Sequence, residues 1–435
     1  MACGGTVILP HRDGLPGGSL PRPDVIVRGK PGERYLLLGN EAVARGVVEA
    51  GVSVMTTYPG TPSSEIADTI SAVAKEAGIY MEYSTNEKVA LEVAAGAAVC
   101  GLRSAVCMKH VGLNVASDPF MTLAYVGVRA GMVVITADDP NCWSSQNEQD
   151  NRYYAMLSGL PCLEPSTPQE AKDMFLRAVE ISERLEIPCL LRLVTRVSHT
   201  RGPVVFGPRE EPRRVGSFER DVARFVMVPA YARVRHKVLL EKMRAAREIA
   251  ESDRELNYVA SDGSGLGIIT SGVSFNYVME ALGLLGIGAG VLKLGMIHPF
   301  PGRLVADFAS QYDEVLVVEE LEPYLELNVR ASLQQAGLTV PVHGKMGAEL
   351  LPRHGELSTR LVVEAICRIK GVEPPPSAHP AQEVGEAIPP RPPVLCPGCP
   401  HRASMYIIRK VVGRELVCTT DIGCYALGVL SLIHI

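Results

Sequence analysis

From Tyr35 onward, short runs of apolar and β-branched residues alternate with longer segments whose apolar positions recur every three or four residues. The short runs predict strands over 52–56, 79–83, 103–108, 132–136 and 188–195. The longer segments predict helices between them. One runs over 41–50, with Asn40 placed as its cap and Gly51 as its stop. Another is capped by Ser63 or Ser64 and closed by Gly78. A third starts at Glu87 and runs through Val99, and a fourth spans roughly 114–126. Thr167-Pro168-Gln169-Glu170 reads as a capping box with proline at the first helical position, opening a helix to about Glu186. Such repeated strand–helix units predict an α/β protein with doubly wound, mainly parallel sheets.

The same alternation resumes near Tyr258, with strands over 266–271, 290–294 and 314–319 and a helix over 276–285. The glycines of Gly263-Ser264-Gly265-Leu266-Gly267 precede a strand. A dinucleotide fingerprint lies between strand and helix, so these glycines read as a turn. The pattern divides the chain into a loose Gly- and Pro-rich arm (1–34), an α/β domain (35–204) and a connector (205–257) holding a charged amphipathic helix over 233–255. A second α/β domain (258–372), a proline-rich linker (373–393) and a short terminal piece (394–435) follow.

Composition narrows the function classes. At 435 residues, 47% hydrophobic and 21% charged, the chain is an ordinary globular one with room for two or three cores. A net charge of −5 and only 5% aromatics give no basis for nucleic-acid or anionic-membrane binding. The eleven cysteines form no regular framework; Cys100, Cys107 and Cys189 lie in apolar stretches and read as small core residues. A reduced, cytoplasmic setting is expected. No signal-peptide core appears in 1–20, and the longest apolar run, 281–292, is too short to span a bilayer.

Candidate chemistry lies at strand-to-helix junctions, where open α/β sheets bind ligands. Tyr58-Pro59-Gly60-Thr61-Pro62-Ser63-Ser64 holds two φ-fixing prolines around a glycine, and its hydroxyls precede a helix N-terminus. Taken alone, the loop reads first as a helix cap with ordinary turn residues. Glu87 opens the next helix, among small apolar residues that imply a buried helix. A carboxylate there is stabilised by the helix dipole whatever its function. A partly desolvated carboxylate also needs a partner. The aminopyrimidine of thiamine diphosphate is one: a hydrogen bond to its ring nitrogen favours the imino form that deprotonates the thiazolium carbon. Removing an acid–base contact of that kind costs on the order of 10²–10⁴ in rate.

Cys396-Pro397-Gly398-Cys399-Pro400-His401-Arg402 and Thr419-Thr420-Asp421-Ile422-Gly423-Cys424-Tyr425 form the second dense motif. Cys396 with Cys399, and Cys418 with Cys424, are candidate metal pairs, but the second spacing is too wide for a zinc ribbon. No metal site is assigned. A metal-binding interaction module built on these four cysteines remains the non-enzymatic alternative.

Eight segments in order carry a family resemblance: YPGTPSSEI, NEKVALEVAAGAA, KHVGLNVASDP, DDPNCWSSQNEQDNRYYA, GMIHPFP, VVEELEP, CPGCPHR and TTDIGCY. The chain resembles the large subunit of indolepyruvate ferredoxin oxidoreductase, a thiamine diphosphate-dependent 2-oxo acid oxidoreductase. The resemblance implies a pyrimidine-binding domain, then a transketolase C-terminal-like domain, then the start of a pyrophosphate-binding domain. It makes Glu87 the catalytic carboxylate and Tyr58, Pro59, Gly60 and Thr61 the loop beside the cofactor. Cys396, Gly398, Cys399, His401, Asp421, Gly423 and Cys424 fall on its diphosphate side. His110 and Asn114 follow a strand end and either face the substrate or merely start and cap a helix. The implied reaction is oxidative decarboxylation of an aryl pyruvate with coenzyme A, giving an aryl-acetyl thioester, carbon dioxide and reduced ferredoxin. Implied partners are a smaller beta subunit and ferredoxin. The family's Mg²⁺-binding motif and its iron–sulfur cluster cysteines do not occur in these 435 residues, and the pattern is lost after Leu430. An incomplete large subunit, inactive alone, is therefore expected. A non-oxidative thiamine-dependent decarboxylase or carboligase is the alternative enzyme.

Overall fold

A computed structural model describes residues 24–376, 394–413, 415, 417–419 and 423–428. The chain forms two compact units, Met1–Pro375 and Pro376–Ile435.

The larger unit is built on a seven-stranded sheet and a five-stranded sheet. The seven-stranded sheet runs, edge to edge, Met296–His298, Cys162–Leu163, Cys189–Val194, Met132–Asp138, Ser104–Lys109, Val54–Thr57 and Tyr80–Tyr83. Every pairing in it is parallel except that of Met296–His298 with Cys162–Leu163. Strands Ser104–Lys109, Met132–Asp138 and Cys189–Val194 are buried along their whole length. Helices cover both faces of a parallel sheet, so its central strands read as continuous apolar runs. The chain passes from Val54–Thr57 to Tyr80–Tyr83 on one side, then crosses back to Ser104–Lys109 on the other. Connections leaving adjacent strands in opposite directions open a crevice at the strands' carboxyl ends.

The five-stranded sheet has the order Val342–His343, Glu314–Val318, Leu266–Ser271, Gly290–Leu294 and Asn257–Asp262, the last pairing antiparallel. Gly263 and Gly265 lie at the turn between Asn257–Asp262 and Leu266–Ser271, as the sequence order suggested, whereas Gly267 is part of the second strand. Most of both sheets shares one core, and a smaller cluster around Leu266, Val278, Val318 and Ile366 lies on the other face of the second sheet.

Several local expectations are corrected. Residues 24–34 are not loose: a short helix, Val25–Arg28, buries Ile26 and Val27 against the core, and Arg45 donates to the carbonyls of Ile26 and Gly29. The rest of the arm, through residue 23, lies outside the described residues, as does most of the proline-rich linker. Asn40 is not a cap. Its helix, Gly39–Glu49, starts two residues earlier than expected, and Asn40 lies buried inside it. The helix expected over 114–126 is two, His110–Val115 and Ser117–Val126, and the first begins directly at the strand end. At Thr167 only half of the capping box forms. The Thr167 hydroxyl accepts from Glu170 N (3.2 Å), whereas the Glu170 carboxylate accepts from Ser166 N and Oγ and pairs with Lys293. The charged helix spans Pro229–Ser252, with proline at its start. Cys107 and Cys189 are core residues; Cys100 is half-buried.

Candidate functional site

Three chain segments converge at the carboxyl ends of Val54–Thr57 and Ser104–Lys109. The first is the Tyr58–Ser64 loop. Its Thr61–Pro62 bond is cis, Ser63 N and Oγ both donate to the Gly60 carbonyl (2.9 Å each), and Asn40 donates to the Pro62 carbonyl (2.7 Å). Ser63 occupies the N-cap position of Ser64–Ala77, but its hydroxyl faces back into the loop instead of capping the helix. Gly60 lies on Lys109: a Cβ at residue 60 would stand 2.8 Å from Lys109 Cβ. Any larger residue would push the loop off the strand end. Tyr58, Pro59 and Thr61 are exposed.

The second segment is the helix Glu87–Val99, capped by the Asn86 side chain, which accepts from Val89 N (2.9 Å). Glu87 stands in its first turn and is half-buried. Its helix buries Ala90, Leu91, Ala94 and Ala98 only; the opposite face is partly exposed, not buried all round as the small apolar sequence suggested. The Glu87 carboxylate lies against Gly112, so close that a Cβ there would sit 2.5 Å from Oε1 and 2.9 Å from Cδ.

Gly112 belongs to the third segment, His110–Val115. His110 is fully buried: Nε2 meets the Asn147 carbonyl at 3.2 Å and Oδ1 at 3.3 Å, and Nδ1 has no partner. Asn114 is exposed inside the same helix, where it bonds Gln149 (2.8 Å) and Tyr154 (2.7 Å), so it is no helix cap.

The loop 139–151 closes over these segments. Lys109 Nζ donates to the Ser144 carbonyl (2.6 Å), and Ser144 Oγ reaches the Thr61 carbonyl (3.3 Å). Asp139 accepts from Ser144 N (2.8 Å), Ser145 Oγ (2.6 Å) and Thr195 Oγ1 (2.8 Å). Burial alone would raise the Asp139 carboxyl, but these donors outweigh it and hold the group below the usual carboxylate range. Burial lowers the Lys109 ammonium despite the attraction of Asp139.

Behind this wall lies a buried ion network. Arg192 Nε donates to Asp138 Oδ2 (2.7 Å) and the guanidinium also grips Glu164. Arg152 binds Asp150 and reaches the second sheet, donating to Glu319 Oε2 (2.7 Å) and to the carbonyls of Glu320 (2.7 Å) and Glu322 (2.9 Å). Both arginines are 1% exposed, so removing either would strand desolvated carboxylates. Burial pushes the carboxyls of Glu319 and Glu320 up to about 7.

In the smaller unit, Cys396 and Cys399 close a tight turn through Cys399 N to the Cys396 carbonyl (3.1 Å), with Gly398 at φ 74°. Pro400 opens a helix, Pro400–Val412. Cys399 Sγ lies 3.3 Å from His401 Nδ1, and the His401 ring meets the edge of Tyr425 at 4.3 Å. Cys396 and Cys424 are exposed, and Gly423 has φ 99°. Asp421 lies outside the described residues. Among the described residues, no group of three or more His, Cys, Asp or Glu side chains gathers as a metal site, and no helix is long and apolar enough to cross a membrane.

Residues 45–261, which carry all three converging segments, match the thiamine diphosphate-binding family of pyruvate flavodoxin/ferredoxin oxidoreductases. Residues 257–375 match the indolepyruvate oxidoreductase domain. The chain belongs to the indolepyruvate oxidoreductase family. Indolepyruvate oxidoreductase subunit IorA of Methanothermobacter marburgensis is 51% identical over 93% of this chain and 66% of its own length. The Thermococcus kodakarensis subunit is 49% identical over 94% and 64%. The chain thus spans just under two thirds of these curated relatives. A more distant relative, 2-oxoglutarate synthase subunit KorA of Archaeoglobus fulgidus, is 25% identical over 66% of this chain. Among solved structures, a 2-oxoglutarate:ferredoxin oxidoreductase from Magnetococcus marinus shares the fold, with TM-score 0.61 at 16% identity over 78% of this chain and 65% of its own. A split-gene transketolase does so with TM-score 0.52 at 17% identity over 76% of this chain and 97% of its own.

The sequence reading named the loop and Glu87 but missed what holds them. Gly112 carried a signal: a glycine inside an apolar helix start suggests close approach by another group. Asn40 was assigned a local role because Asn before a helix usually caps it. The bracket Lys109–Ser144–Asp139 had no sequence signal, since its members are 35 and 5 residues apart.

Proposed function

We propose that this chain is the portion of an indolepyruvate:ferredoxin oxidoreductase large subunit that holds the aminopyrimidine half of thiamine diphosphate, with Glu87 as its activating carboxylate. One observation carries the reading. The Glu87 carboxylate is seated on Gly112, just past the strand end that also carries the Tyr58–Thr61 contact through Lys109, within the region matching the thiamine-binding family. The residues present suit the group. Gly60 and Gly112 let Lys109 and Glu87 approach the backbone where a Cβ would clash, and the buried Nδ1 of His110 is unpartnered. Bound thiamine diphosphate supplies a nucleophilic thiazolium carbon for cleaving 2-oxo acids. Glu87 holds a proton at the pyrimidine ring nitrogen, in the first helical turn, where the dipole favours its anion. The prolines and the Asn40 bond keep Tyr58–Thr61 fixed beside the ring. His110 and Asn114 are assigned to the substrate side. Cys396, Gly398, Cys399, His401, Asp421, Gly423 and Cys424 are assigned to the diphosphate half on their motif.

In this reading the substrates are an aryl pyruvate and coenzyme A, the partners are a smaller beta subunit and ferredoxin, and the setting is the cytoplasm. Mg²⁺ and iron–sulfur clusters are held by family segments that these 435 residues do not contain. The test is Glu87→Gln in the longer large subunit assembled with its small subunit. Ferredoxin-linked oxidation of indolepyruvate should fall about 10²- to 10⁴-fold with the melting temperature unchanged. Wild-type turnover would remove Glu87 from the reaction. Calorimetric titration of the 435-residue chain alone with thiamine diphosphate and Mg²⁺ should show weak binding or none; sub-micromolar binding would refute the half-site reading.

A further inference from the structure

A cavity of about 450 Å³ opens beside Thr61, on the side of the 139–151 loop. Thr61, Trp143, Ser144, Thr195, Arg196 and His199 line it. Trp143 is the one tryptophan of the chain and is 62% exposed. An exposed indole usually marks a contact surface, and this one is held out deliberately. The residues before it, Asn141 and Cys142, sit at φ 70° and 50°, a region that non-glycine residues avoid. Asp139, through Ser144 N and Ser145 Oγ, and Glu148, through Gly355 N (2.7 Å), pin the loop on both sides of the indole. The strained backbone is therefore anchored while its large apolar side chain is left to the cavity. The cations there are already matched: Arg196 pairs with Glu356 (2.7 Å) and His199 with Glu65 (3.4 Å). That balance gives a phosphate little to bind and leaves the indole as the large apolar face of the cavity, set among hydroxyls and the paired charges of Asp139, Arg196 and Glu356.

We propose that this cavity is an aromatic-ring subsite, in which Trp143 stacks on a planar ring of a substrate. It rests on the proposed reaction, which offers two such rings, the aryl group of the 2-oxo acid and the adenine of coenzyme A. Because Trp143 is the sole tryptophan, its emission reports on the cavity without turnover or bound cofactor. The 435-residue chain is titrated with phenylacetate, with coenzyme A and with hexanoate as the non-aromatic acid. Saturable quenching by phenylacetate but not hexanoate assigns the subsite to the aryl group; quenching by coenzyme A alone assigns it to adenine. Trp143→Ala should weaken the effective ligand at least about threefold by calorimetry, with an unchanged melting temperature. The subsite is overturned if neither aromatic ligand perturbs the emission, if hexanoate does so equally, or if Trp143→Ala binds as the wild type does. Glu87→Gln should keep the quenching, so a failed role for Glu87 and a failed subsite give different results.

Discussion

Replacing Gly112 with alanine tests how closely the site depends on the seat of Glu87. The new Cβ would stand 2.5 Å from Glu87 Oε1 and 2.7 Å from Cγ, where ordinary contacts begin at 3.4 Å. Relief therefore needs a shift of about 0.9 Å. The carboxylate is the end of a flexible side chain, so it moves and the helix does not. Alanine is also the better helix former by roughly 0.5–1 kcal/mol, which offsets the crowding. Stability should change by less than about 1 kcal/mol. A displacement near 1 Å at a reacting group, by contrast, costs on the order of 10² in rate. The assay pairs thermal unfolding of the 435-residue chain with indolepyruvate oxidation by the assembled oxidoreductase. A Gly112→Ala enzyme with full kcat/KM would refute the argument, because Glu87 would then tolerate displacement. Loss of both fold and activity would refute it as well, by making Gly112 a core-packing residue instead.

The buried network gives further expectations. Arg152→Met leaves Glu319 buried without its arginine and Asp150 with Arg192 alone, and should destabilise the larger unit by roughly 3–5 kcal/mol, read as a lower denaturant midpoint. Glu320 has a folded value of about 7 against an ordinary 4.5, so the folded state keeps a proton that the unfolded state has lost. Stability should accordingly fall as pH rises from 4.5 to about 7, by up to about 3 kcal/mol from this group, and Glu320→Gln should flatten that part of the profile. An unchanged slope would mean that Glu320 is ionised throughout. Asn40→Ala removes the donor to the Pro62 carbonyl and should cost about 1–3 kcal/mol. In the assembled enzyme it should also raise the KM for thiamine diphosphate more than it lowers kcat.

What the sequence disclosed divides along physical lines. Fully buried parallel strands are apolar along most of their length, so the runs within Ser104–Lys109 and Met132–Asp138 were legible from composition, though not their polar ends Lys109 and Asp138. Stiff turn chemistry made Tyr58–Ser64 visible, and a lone acid among small apolar residues made Glu87 visible. Partner choice was not legible. Nothing local distinguishes an Asn40 that caps from one that reaches a loop 22 residues away. The pairing of Arg152 with Glu319 gave no local signal, because it depends on a contact spanning 167 residues. The short strand Met296–His298 was likewise hidden, since its partner Cys162–Leu163 is distant in sequence and only two residues long.

That strand, with the ion network beside it, bears on how the protein can be dissected. Met296–His298 forms one edge of the seven-stranded sheet, and Arg152, Glu164 and Lys293 each find a partner across the two sheets. Expression of the first α/β region by itself would leave Cys162–Leu163 as a bare edge, and would strip Arg152 of Glu319 and Glu164 of Ser271, leaving them only Asp150 and Arg192 as partners. The smallest soluble piece carrying the Glu87 crevice therefore extends to about residue 375, even though every crevice residue precedes residue 152.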